Sequence, residues 1–353
     1  MCRFKKHNMK KHKLPALFCI TCCIAGTFPL NSAFGRSKLL SDRKDYQVNI
    51  TNQLKPIQNV DTTQYPDAVL AYFRYYDLIP EDDSTRHLFG TFDSQNQTLT
   101  AHIYIPQDYK ATVVLLHGYL NHAGQFKHLI KQLLKENYAV ALYDLPGHGL
   151  STGPGGQIDD FAQYTHTLND FIEIIKLLTK GPYHLIGFST GGGIAVDYLL
   201  NTEKPVFDKV ILAAPLIRNS AWKASKAGYE FYSKFSQTVP RMPRKNSSDE
   251  KFLKFNRQMD VLHGRAVGLK WVKALHDWND RIKNLPPVEK PVYVIQGDKD
   301  TTVLWKYNAK FLKKKFINVH VEIVKNARHE LFNEARDIRE HVLKLTTDYL
   351  CAD

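Results

Sequence analysis

Two kinds of apolar pattern alternate along this chain. Short runs such as Val113-Val114-Leu115-Leu116 and Val292-Tyr293-Val294-Ile295 are apolar at every position, as strands covered on both faces are. Runs of this type, with weaker ones between, predict eight strands at 87–92, 99–105, 112–117, 139–143, 183–187, 209–213, 292–296 and 320–324. Between and around them apolar residues recur every three or four positions, which predicts helices at 68–79, 125–135, 161–178, 192–200, 304–314 and 336–349. Strands and helices in alternation imply an α/β fold: a mostly parallel eight-stranded sheet flanked by helices.

Three stretches depart from that rhythm. Residues 36–64 are polar and unpatterned and read as a flexible lead-in to a folded domain at 65–353. Between Pro215 and Pro291 lie roughly 75 residues with helical spacing and no strand pattern, too many for a structureless loop. They predict a helical cap, at about 216–285, inserted over the carboxyl edge of the sheet. The third is the start: Arg3, Lys5, Lys6, Lys10, Lys11 and Lys13, then an almost uncharged apolar stretch to Leu30, then Ser32, Ala33 and Gly35. That order describes a signal peptide over 1–35 and export to a bacterial periplasm, cell surface or medium. An uncleaved or lipidated leader anchoring the chain to a membrane is the alternative reading.

Charge and cysteine refine this picture. Four of the five cysteines fall in the leader, leaving Cys351 and no intrachain disulfide after cleavage. The net charge is +13, six of it from the leader. Residues 216–285 hold 15 Lys and Arg against 6 Asp and Glu. No nucleic-acid motif accompanies this excess, so the basic cap suits transient contact with an anionic membrane surface.

The chemistry centres on Tyr183 to Leu200, an apolar run, then Gly187-Phe188-Ser189-Thr190-Gly191, then helical spacing. This is the pattern of a nucleophile elbow, which lifts one serine hydroxyl out of a sheet and needs small neighbours around the turn. A serine needs a base, and the base needs a group to fix its tautomer. His329 lies after the last predicted strand, and Asp298 and Asp300 lie after the one before it. All these loops leave the carboxyl edge of the sheet, in the order Ser, Asp, His. Asp300 has the room to turn back toward the histidine, while Asp298 suits capping the loop. The oxyanion hole needs two backbone amides. Thr190, directly after the serine, supplies one, and Tyr119, after Gly118, the other. His117 and His148 read as structural. No metal-ligand cluster and no dinucleotide fingerprint is present, so no cofactor is implied.

Taken together, HGYLNHAG, DLPGHGLS, GFSTGG, QGDKD and RHELFNE resemble the α/β-hydrolase subfamily of monoacylglycerol lipases and bacterial lysophospholipases, over about residues 86–350. The resemblance implies the α/β-hydrolase fold, a Ser189–Asp300–His329 triad, and an oxyanion hole of the Tyr119 and Thr190 amides. It departs from the family pattern at Leu120 and Asn121, where HGxGEH has Gly and Glu, and at Phe188 and Thr190, where GHSMGG has His and Met. The expected activity is hydrolysis of the acyl ester of a single-chain lipid, a lysophospholipid or monoacylglycerol. Acyl transfer to a lipid alcohol and general cleavage of short esters are the alternatives. Aromatic stripes in the cap (Trp222, Tyr229, Phe231, Tyr232 and Phe235; Trp271 and Trp278) read first as core, with some surface left to line an acyl entrance. Arg241, Arg244 and Lys245 could face phosphate.

Overall fold

The computed structural model describes residues 45–62 and 64–352; the expected leader lies outside them. Eight strands form one sheet: β1 (Arg86–Ser94), β2 (Gln97–Ile105), β3 (Thr112–Leu116), β4 (Ala139–Tyr143), β5 (Tyr183–Phe188), β6 (Phe207–Ala213), β9 (Val292–Gly297) and β10 (Val319–Val324). Their order is β1-β2-β4-β3-β5-β6-β9-β10. The β1–β2 hairpin and the β2–β4 pair are antiparallel, and every later pair is parallel. Gln95 and Asn96 close the hairpin at positive φ of 49° and 62°, the twist that two-residue turns require.

The continuous apolar runs are explained by burial on both faces. Val114, Leu116, Leu185 and Leu212 pack with α3 (Ala162–Leu178), α4 (Thr190–Asn201) and α8 (Trp305–Lys315). Their neighbours Val113, Leu115, Ile186 and Ile211 face the opposite way, onto α1 (Asp67–Tyr76), α2 (Lys127–Lys135) and α9 (Arg336–Cys351). Each fully buried side chain of this size contributes about 1.5–3 kcal/mol, so the sheet fixes the loops at its carboxyl edge firmly.

The structure corrects two expectations. Part of the supposed flexible lead-in is ordered: residues 45–51 are helical and Ile57–Asn59 form a 3-10 turn. Ile50 and Ile57 are each 1% exposed, and the Thr91 amide donates to Lys55 O at 2.9 Å. Two isolated isoleucines give no period to read, yet each fills a hole in a core. The insert between β6 and β9 is not wholly helical either. It carries α5 (Trp222–Tyr232), α6 (Glu250–Gln258) and α7 (Leu269–Lys283), but also a ribbon of β7 (Thr238–Pro240) and β8 (Ala266–Gly268). Three-residue strands are too short to show alternation.

Within the insert, α7 is the buried element. Trp271, Leu275, Trp278 and Ile282 fall on one face, and Trp278 stacks on Phe161 with centroids 4.2 Å apart. By contrast α5 has no buried residue. Trp222 and Tyr229 pack partly against the core, whereas Phe231 and Phe235 are exposed, so only part of that aromatic stripe is core. Among the described residues no helix is long and apolar enough to cross a membrane.

Candidate active site

Ser189 sits between the end of β5 and the start of α4 with φ 52° and ψ −111°, a strained conformation that costs of order 1–3 kcal/mol. The surroundings hold it there. Its amide donates to Ala213 O at 2.9 Å, and its carbonyl accepts from Leu216 N at 2.9 Å and Gly193 N at 3.1 Å. The glycines are required by close approach: a Cβ on Gly187 would lie 2.5 Å from Gly191 O, and one on Gly191 would lie 2.2 Å from Leu116 O.

His329 leaves the loop after β10. Its amide and that of Glu330 both donate to Asn246 O, at 3.0 and 2.9 Å, so the insert clamps this loop. His329 Nε2 lies 3.0 Å from Ser189 Oγ, and Nδ1 lies 2.8 Å from Asp300 Oδ2. The carboxylate can only accept, so the proton sits on Nδ1 and Nε2 is free to accept from the serine. Asp300 is fixed in turn by the Thr302 and Val303 amides on Oδ1, at 2.7 and 3.1 Å, and by Gln296 Nε2 on Oδ2 at 3.1 Å. Asp298 instead accepts from Asn326 N at 2.7 Å. Of the two candidate acids, Asp300 is therefore the one beside His329.

The electrostatics follow from burial and pairing. Burial opposes the charge on Asp300, but His329 and the two amides outweigh it and hold its carboxyl below the ordinary value. Burial likewise disfavours imidazolium at His329, yet Asp300 and then Glu330 overcome it and raise its pKa. A serine beside such a histidine can be deprotonated as it attacks, and the proton can be returned to a leaving group.

Thr190 begins α4, so its amide is free of intrahelical partners. The Tyr119 amide converges on the same spot, donating to Thr190 Oγ1 at 3.2 Å. A Cβ on Gly118 would lie 3.1 Å from both the Phe188 ring and Ser189 Cβ, which is how the Tyr119 loop comes so near the serine. Leu120 keeps a positive φ of 64° although it is not glycine. The Tyr119 hydroxyl donates to Gly156 O at 2.7 Å and accepts from Gly268 N at 2.8 Å, and its ring stacks on Trp271 at 3.7 Å. His117 is structural: its Nε2 accepts from Leu145 N at 2.9 Å. His148, also buried, is within 2.9 Å of Pro146 O through Nδ1.

A cavity of about 300 Å³ opens onto these groups. Leu216, Val239, Met242, Val267, Trp271 and Val272 give it apolar walls, and Asn121, Arg241, Arg244 and Glu330 a polar side. Lys245 is not part of this wall and pairs with Glu250 at 2.5 Å. Three contributions were not read from the sequence: the Thr190 hydroxyl, Glu330 and the Asn246 carbonyl. Glu330 was adjacent to the chosen histidine, which was its only signal.

Comparison with known proteins gives the family and the fold of the chain. The family model described as serine aminopeptidase, S33 matches residues 107–336. A probable lysophospholipase L2 from Haemophilus influenzae is 24% identical over 79% of this chain and 96% of its own length. The phospholipase YtpA of Bacillus subtilis is 25% identical over 66% of this chain and 92% of its own. Among solved structures, a soluble variant of the monoglyceride lipase of Saccharomyces cerevisiae superposes with a TM-score of 0.67 at 19% identity, covering 78% of this chain and 98% of that one. The chain is an α/β-hydrolase and belongs to the serine aminopeptidase S33 family.

Proposed function

We propose that this protein hydrolyses the acyl ester of a single-chain lipid, a lysophospholipid or a monoacylglycerol. One observation carries the reading: Ser189, His329 and Asp300 are joined by hydrogen bonds of 3.0 and 2.8 Å at the head of a cavity with mainly apolar walls. Ser189 Oγ attacks the acyl carbonyl while His329 Nε2 takes its proton. Asp300 holds the imidazole tautomer and stabilises the imidazolium. The Tyr119 and Thr190 amides receive the oxyanion, displacing the Thr190 hydroxyl from the Tyr119 amide. The C–O bond breaks as His329 protonates the leaving alcohol. Water then attacks the acyl-enzyme with His329 as base and releases the fatty acid.

Two further points support a lipid ester. The relatives named above are a lysophospholipase, a phospholipase and a monoglyceride lipase. An aminopeptidase must hold a free ammonium group, and the Arg241 and Arg244 guanidinium groups on the cavity wall oppose one. These two arginines suit the phosphate of a lysophospholipid. Near them in the chain Phe231, Phe235 and Met242 are 57%, 77% and 68% exposed, on a segment that also carries Lys234, Arg241, Arg244 and Lys245, and we assign this face to an anionic membrane surface.

The test is fatty acid release by the purified protein from lysophosphatidylcholine, monoacylglycerol and an aryl butyrate. Ser189→Ala is expected to abolish all of it. Wild-type rates in that variant would overturn the mechanism. Cleavage of the aryl ester alone would overturn the lipid assignment. With a lipid alcohol added, acylated acceptor in place of free fatty acid would reassign the reaction to acyl transfer.

A further inference from the structure

A second cavity, of about 210 Å³, lies in the insert and is lined by Arg241, Arg244, Arg257 and Arg265 and by no aspartate or glutamate. Ser189, Asp300 and His329 do not border it, whereas Arg241, Arg244 and Asn246 line both cavities. The guanidinium groups are held by neutral partners. Arg265 Nη2 donates to Asp260 O at 2.9 Å, Arg257 Nη2 to Arg244 O at 3.1 Å, and Arg244 Nη1 to Ser220 Oγ at 2.8 Å. Arg241 Nη1 contacts His263 Nε2. Among the described residues the ion-paired arginines are Arg281, Arg336 and Arg339, so none of these four is matched by an acid. Arg244 and Arg257 are exposed to water, but Arg241 and Arg265 are half-buried, and buried charge is ordinarily paired. Burial lowers the Arg241 pKa, Glu330 opposes that, and Arg265 and Arg244 lower it further. The cluster repels itself.

The chemistry of the wall selects its ligand. Asn256 is 5% exposed, lines the same cavity, and its side chain makes no hydrogen bond among the described residues. Its amide is therefore a further donor for a ligand. Each guanidinium is a planar fork of N–H donors and spends only part of it on the protein. A tetrahedral oxyanion of more than one charge meets several forks at once, whereas a carboxylate meets one. The volume lies below the roughly 300–1,000 Å³ of sites for drug-sized ligands, so the occupant is a compact group and not an acyl chain.

We propose that this cavity binds a phosphate group that is not the substrate's, held by Arg257 and Arg265 together with Arg241, Arg244 and the Asn256 amide. Its occupancy reaches the ester-cleaving centre through the shared residues. Asn246 O holds the His329 and Glu330 amides, and Arg241 is one of the charges that act on His329. The inference goes beyond the hydrolase reading, and the binding is measured without turnover.

Calorimetric titration of the purified protein with inorganic phosphate, at an ionic strength held constant with chloride, should show saturable binding with a Kd below about 1 mM. Arg257→Gln and Arg265→Gln, at residues that border this cavity and not the catalytic one, should each weaken it by roughly tenfold, the scale of a hydrogen bond to a charged group. No saturable binding, affinities within about twofold of the wild type in both folded variants, or acetate binding as tightly as phosphate would overturn the proposal. Phosphatidylcholine vesicles containing phosphatidic acid distinguish the source of the group. Capture of the wild type above both variants, reversed by inorganic phosphate, assigns it to a lipid head group. Equal capture of all three, with the titration as expected, assigns it to free phosphate. The last readout is the acid limb of hydrolysis of an aryl butyrate, an ester that brings no phosphate of its own. Burial and Arg241 act against the His329 charge that Asp300 and Glu330 favour, so an anion beside Arg241 should move that limb to higher pH, and less so in Arg257→Gln. A limb unmoved at saturating phosphate overturns the proposal. Intact phosphate binding without hydrolysis of any ester would fail the hydrolase reading alone.

Discussion

Replacing Asp300 by asparagine changes one atom and should nearly silence the enzyme. Oδ1 of Asp300 accepts from the Thr302 and Val303 amides, so the oxygen of an asparagine stays there. Its NH2 group must then occupy the Oδ2 position, facing His329 Nδ1 at 2.8 Å and Gln296 Nε2 at 3.1 Å. Two donors would meet at Nδ1 unless the imidazole moves its proton to Nε2. That proton would point at Ser189 Oγ, where a base is required. The geometry survives and the base is lost, so kcat is expected to fall by roughly 10⁴-fold, as such a tautomer reversal does elsewhere. Asp298→Asn is the control. It keeps an acceptor for Asn326 N, and kcat should stay within about twofold.

The same assay, initial rates of fatty acid release against pH, reads the sign of the electrostatics. His329 must be neutral to act as base. Its pKa is raised because Asp300 and Glu330 outweigh burial, so activity falls as pH drops through a midpoint above 6.5. In Asp300→Asn the main raising influence is gone and burial is left, so the residual activity loses its acid limb to lower pH. Retention of more than about a tenth of the wild-type kcat by Asp300→Asn, or a wild-type midpoint below about 6.5, would refute the reasoning.

Asp260 in the insert is fully buried and accepts from the Tyr76 hydroxyl at 2.9 Å, Gln125 Nε2 at 2.8 Å and the Leu262 and His263 amides at 3.1 Å, and pairs with His122 at 2.9 Å. Asp260→Ala should cost about 3–5 kcal/mol in urea unfolding, because it strands several buried donors. Burial resists the Asp260 charge, but His122 and the other partners depress its pKa, so its contribution is full above the unfolded carboxyl's pKa and fades as pH falls below it. For the membrane face, Phe231→Ser and Phe235→Ser together should reduce co-sedimentation with phosphatidylglycerol vesicles. Equal binding of the wild type to neutral and anionic vesicles would remove that assignment.

Much of this was legible in advance because the signals were local. The central strands β3, β4 and β9 carry compact apolar runs, and Ser189 announces itself through the glycines that its turn requires. The choice of Asp300 over Asp298 rested on reach, and the hydrogen bonds place it beside His329. Other features were hidden because their causes are distant in sequence. The order that sets β4 between β2 and β3 is decided by crossover packing, not by any run of residues. Glu330 meets Asn246 across 84 positions, and neither residue type signals the other. At Thr190 the sequence shows only a departure from the family pattern, and the structure shows its hydroxyl accepting from the Tyr119 amide.

The Tyr119 clamp has a consequence for how such a protein can change. The residue whose amide is proposed to receive the oxyanion is bolted by its hydroxyl to Gly268 and by its ring to Trp271, both in the insert. Lengthening or exchanging the insert to accept another lipid would drag that amide with it. Substrate range and rate are thus inherited together in this chain. A graft that leaves out Gly268 and Trp271 should bind its new substrate and turn it over poorly.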